Sequence, residues 1–96
     1  MTEKQIGELL DRMARVGFVA WYRKPGADGW PSDEAKHIHA VWVGDKMKLS
    51  LRNQVRDFHV GKNGLASHTT YKFHTWSKCW IDAIWKRYLE NNSATN

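Results

Sequence analysis

Residues 34–44 read Glu-Ala-Lys-His-Ile-His-Ala-Val-Trp-Val-Gly. From Ile38 to Val43 the run is apolar, β-branched or aromatic, the composition of a buried strand. His37 and His39 stand at its front. Side chains two apart on a strand share a face, so both imidazoles point the same way. Glu34 lies three residues before His37, where the chain is still leaving a loop. A carboxylate and two imidazoles at a loop-to-strand edge can hold a metal ion or do acid–base work. The plainer alternative is one histidine hydrogen-bonded at the edge and the other half-buried.

Upstream, residues 23–33 (RKPGADGWPSD) hold both prolines and two glycines and read as a loop. Before it, Phe18 to Tyr22 is a short β-type run. Thr2 and Gln5 have the spacing of a capping box. Behind them Ile6, Leu9, Leu10, Met13 and Val16 form one apolar stripe at helical spacing. Gly17 stops this helix, predicted over about 3–16.

Downstream, Gly44-Asp45 breaks the strand. Residues 49–60 read as a second helix with Ser50 as N-cap and Leu51, Val55 and Phe58 facing inward. Gly61 ends it, and 62–64 is a turn. Thr69 to His74 alternates as a third strand. Ser77 caps a last helix, 78–90, whose Trp80, Ile81, Ile84, Trp85, Tyr88 and Leu89 make a broad apolar face. The tail NNSATN is expected to fray. The order helix-strand-strand-helix-strand-helix predicts an α+β fold: a small antiparallel sheet of about three strands, with three helices closing its core.

Ninety-six residues make a single domain, 1–96, with a modest core. With 42% hydrophobic and 26% charged residues the chain is composed like a folded globule. Six tryptophans supply large apolar area. The net charge of +5 is uneven. Residues 1–43 carry 6 basic and 6 acidic side chains, residues 44–96 carry 9 and 4, so the whole excess lies in the second half. That favours an anionic partner, although +5 also serves solubility. Cys79 is the sole cysteine, so no internal disulfide forms, and it reads as a small buried residue. No apolar run reaches membrane-spanning length. The amphipathic N-terminus lacks the pattern of a signal peptide, so synthesis in the cytoplasm is expected.

Glu34-x-x-His37, followed by a strand ending Val-Trp-Val-Gly, resembles the last metal motif of the zinc D-Ala-D-Ala carboxypeptidases. Their superfamily includes Hedgehog signalling domains and phage L-Ala-D-Glu endolysins. The preceding helix, Gly17-Phe18 strand and Gly/Pro loop are similar in layout, so the resemblance covers roughly residues 3–44. It implies a zinc hydrolase acting on cell-wall peptide, in the periplasm if the protein is of lysin type. Glu34 would then be the general base and His37 a zinc ligand, with His39 the alternative claimant. The family draws its first two ligands from His-x-x-Gly-x-Ala-x-Asp ahead of the first helix, and no such motif precedes it here. The resemblance therefore implies part of a longer peptidase, a relative that no longer cleaves, or a site completed by other donors. The candidates for the last are His59, His68, His74 and Cys79.

His-Ile-His also resembles the His-hydrophobic-His motif of metal-dependent single-strand nucleases. On that reading Tyr88 attacks the phosphodiester, Lys86 and Arg87 lie beside it, and Trp76 or Trp80 stacks a base. The periodicity equally makes Tyr88 a core residue. A third reading has no catalysis: Arg52, Arg56, Lys62, Lys72 and Lys78 form a basic face for nucleic acid or another anionic polymer, or simply a solvated surface.

Overall fold

A computed structural model describes residues 1–92. Its elements are α1 (Glu3–Val16), β1 (Phe18–Arg23), β2 (His37–Trp42), α2 (Leu49–His59) and α3 (Lys78–Asn91). The α+β class is as expected, with three helices and one antiparallel sheet among the described residues. The sheet has two strands rather than three.

α1 starts on the capping box. The Thr2 hydroxyl accepts the Gln5 N–H, and the Gln5 side chain accepts the Thr2 N–H. It ends at Gly17, whose φ of 113° only glycine adopts without strain. Ile6, Leu10 and Ala14 are buried, but Val16 is exposed. α2 and α3 begin at Lys48 and Ser77 without side-chain caps, so the expected Ser50 and Ser77 hydroxyl caps are absent. The tail was expected to fray from Asn91, yet Asn91 closes α3. Asn92 is buried, accepting the Met47 N–H at 2.7 Å and donating to the Tyr88 carbonyl at 2.9 Å. The rest of that tail, 93–96, lies outside the described residues.

The strands pair from Phe18 with Trp42 to Arg23 with His37. The 37–43 strand was expected to be the buried one, and the structure reverses this. In β2 only Val41 is buried, whereas β1 buries Val19, Ala20, Trp21 and Arg23. Both strands are edges of this sheet, but α1 and α2 pack on β1, whose consecutive buried residues show cover on both faces, while the main contact of β2 is β1 itself.

The third strand, 69–74, does not form. Only one antiparallel bridge, Lys62 with Thr70, marks it. The backbone N–H groups of Lys72 and Phe73 donate to the Asp28 carboxylate at 2.8 and 3.1 Å, and the Tyr71 N–H goes to the Gly61 carbonyl. Donors that a ladder would have used are satisfied by a side chain from the 24–36 loop. Asp28 adopts φ 50° to reach them, a conformation that aspartate tolerates better than most residues.

The core is an aromatic chain. Tyr22 meets Phe73, Phe73 meets Tyr71, and Tyr71 stacks on Trp76. Trp76 then meets Phe58, and Phe58 meets Trp21 edge-on. Asn63 is the polar hub beside it, fully buried. Its Nδ2 lies within hydrogen-bond distance of the Asp28 carbonyl, Ser67 Oγ and Thr69 Oγ1, and its Oδ1 accepts the Leu65 N–H. It thus ties the 24–36 loop to the 62–70 loop. Asn63 is buried while its partners are half-buried or exposed, so Asn63→Ala loses the bonds but leaves the partners open to water, and is expected to cost about 1–3 kcal/mol. Urea unfolding checks this; a loss below about 0.5 kcal/mol, the size of an ordinary surface change, would show that the two loops are held some other way.

Candidate functional site

β2 begins where the Gly/Pro loop ends, and its antiparallel register fixes the direction of each imidazole. His37 lies opposite Arg23 and His39 opposite Trp21, so both occupy one face, as the alternation predicts. Their surroundings differ. His37 is exposed, its Nδ1 3.1 Å from the Ala35 carbonyl and its ring edge-on to Trp30 at 5.0 Å. A carbonyl can only accept, so Nδ1 carries a proton, and in the neutral imidazole the lone pair is then on Nε2. A carbonyl held by the other ring nitrogen is the arrangement seen on metal-ligating histidines.

His39 is committed elsewhere. Its Nε2 is 2.6 Å from Gln54 Oε1 on α2, and its ring stacks on Trp21 with centroids 6.1 Å apart. Taking Nε2 for a metal would break the bond that joins β2 to α2. Glu34 is exposed, in a turn closed by its own N–H to the Pro31 carbonyl. Among the described residues no group of three or more His, Cys, Asp and Glu side chains is placed to hold a metal ion. Zinc catalysis takes three protein ligands and an open position, so His37 and its neighbours do not make a complete zinc centre.

The other donors are also occupied or apart. His74 Nε2 pairs with Asp11 at 2.8 Å. His59 stacks on Trp85 at 4.1 Å, and among the described residues its buried Nδ1 has no hydrogen-bond partner. Cys79 is exposed rather than buried, because it falls on the outer face of the first turn of α3, whose Trp80 and Ile81 pack against the core instead. His68 Nδ1 lies 2.9 and 3.0 Å from the two oxygens of Asp57, a buried carboxylate that also accepts the Gly64 N–H. Asp57, His68 and Gln54 line one pocket of about 180 Å³, so the Asp57–His68 and Gln54–His39 pairs adjoin. Sequence reading missed this pairing; its one legible sign was the Asn63-Gly64 turn that folds residue 68 back onto α2.

Arg23, also missed, is 3% exposed. Its guanidinium lies over Trp21 at 5.3 Å and donates to the Asn63 carbonyl. Burial lowers its pKa from the ordinary value, opposed by the nearby Tyr71 and Asp28. Burial likewise raises the Tyr71 phenol. Its hydroxyl receives the Tyr22 N–H at 3.0 Å. These groups are structural, since each is engaged with backbone.

Of the nuclease candidates, Tyr88 is buried and stacked on Trp85, a core side chain. Trp76 is buried too, donating to the Leu10 carbonyl. Trp80, Lys86 and Arg87 do share a groove along α3. The five basic-face candidates are spread over three segments. Arg52 donates to the Met47 carbonyl and Arg56 to Asn53 on α2. Lys62 and Lys72 lie on the following loop, and Lys78 pairs with Asp82 at 2.6 Å, a bond that raises its pKa.

Comparison with protein families, curated proteins and solved structures finds no match to this chain. The two histidines are separable by stability. His39→Ala loses the stack on Trp21 and the bond from β2 to Gln54 on α2, and is expected to cost about 1–2 kcal/mol. His37→Ala is expected to stay within about 0.5 kcal/mol of the parent. Thermal unfolding of both variants checks the contrast; equal losses would place His37 in the packing.

Proposed function

We propose that the chain carries the base-and-ligand corner of a D-Ala-D-Ala carboxypeptidase-like zinc hydrolase, directed at the peptide of the cell wall. His37 is the ligand, through Nε2. Glu34 is the carboxylate that takes a proton from the attacking water. The observation that carries this reading is the His37 ring itself: exposed at the end of a strand, its Nδ1 fixed on the Ala35 carbonyl, its Nε2 without a partner among the described residues. The Glu34-x-x-His37 spacing adds the acid on the exposed loop beside it. A complete centre needs more donors than the described residues bring together. The chain by itself is therefore expected to bind zinc weakly and to leave D-Ala-D-Ala peptides uncleaved.

Zinc titration by calorimetry tests the assignment. His37→Ala is expected to weaken binding by about 10–100-fold or more, the range already reached by changes one shell further out. His68→Ala and His74→Ala are expected to leave it unchanged. The reading fails if the affinity follows His68 or His74 instead, or survives loss of His37.

A further inference from the structure

A second feature, independent of the hydrolase reading, lies between the end of α1 and the outer side of α3. Arg15 sits over the Trp80 indole, its guanidinium carbon 5.4 Å from the ring centroid. Arg87 sits over Trp42 at 5.2 Å and donates to the Val16 carbonyl at 3.1 Å. Lys86 is exposed beside it. Arg15, Trp80, Lys86 and Arg87 line an open groove of about 500 Å³, and Trp42 adjoins it behind Arg87. Among the described residues none of the three cations has a carboxylate within ion-pair distance, and Glu90 is the one acid lining the groove.

Three unneutralised cations at one mouth attract an anion, and the charge excess of the second half adds to the field. The indoles narrow the choice of anion. A guanidinium held on an indole loses less freedom when it binds, and presents a flat cation on which another planar ring can lie. A ligand that offers phosphates and unstacked rings together uses both features, which a duplex or a ring-free polyanion does not. We propose that this groove binds single-stranded nucleic acid, with phosphates on Arg15, Lys86 and Arg87 and a base on the Trp80 side.

The test is fluorescence anisotropy of the full chain with a labelled mixed-sequence single-stranded DNA 12-mer. Three neutralised phosphates predict a slope of log affinity against log salt of about −2, from roughly −0.7 per contact. Lys86→Glu and Arg15→Glu should each weaken binding about tenfold or more, while Lys4→Glu on the opposite end of α1 should not. Trp80→Leu should weaken binding about 5–100-fold without changing the salt slope, because stacking releases no counterions. Circular dichroism confirms folding of each variant, and the two charge reversals report independently. No binding at 50 mM salt, binding indifferent to both reversals, or equally tight binding of heparin through the same residues would each overturn the proposal.

Discussion

The seat of Trp21 is the contact on which the rest of the structure depends. The indole is fully buried in the middle of β1, and its N–H donates to the Lys62 carbonyl at 2.9 Å. The turn it meets can approach only because position 64 is glycine. A Cβ there would come 2.7 Å from the ring, and φ is +70°. Phe58 closes the indole edge-on, His39 stacks beside it, and Arg23 lies over it. One side chain thus joins β1 to β2, α2 and the 61–64 turn. In a chain this small a single large aromatic supplies a sizeable share of the core.

This seat explains why the two histidines of β2 diverge. Position 39 lies opposite Trp21 and is drawn into the packing; position 37 lies opposite Arg23, at the end of the sheet, and stays in solvent. The same alternation that placed them on one face gave them unlike environments, because the core covers only part of that face. A free ring nitrogen at position 37 is the result.

The polar interior follows from loops rather than ladders. Asp28, Asn63 and Asp57 receive or supply the hydrogen bonds of residues 62–73. A carboxylate is a stronger acceptor than a carbonyl, so the exposed Lys72 N–H and the half-buried Phe73 N–H both go to Asp28. Once Asp28 reaches Lys72 and Phe73, a third strand has no donors left there to pair. The two-stranded sheet and its wrapped loop are consequences of that competition.

Helix α1, the Gly17 stop, β1 and the α+β class were legible in the sequence, since capping, period and glycine act over a few residues. So was the shared face of His37 and His39. Which strand is buried was not legible. The runs 18–23 and 38–43 are both largely apolar, and only the packing of α1 and α2 makes β1 the more buried of the two. Nor were the Asp57–His68 pair or the arrival of Arg15 beside Trp80 legible, because each joins two different elements of the chain. Local chemistry sets the elements. Tertiary packing decides which polar and charged groups meet, because that depends on how helices cross and on which buried donors find acceptors first.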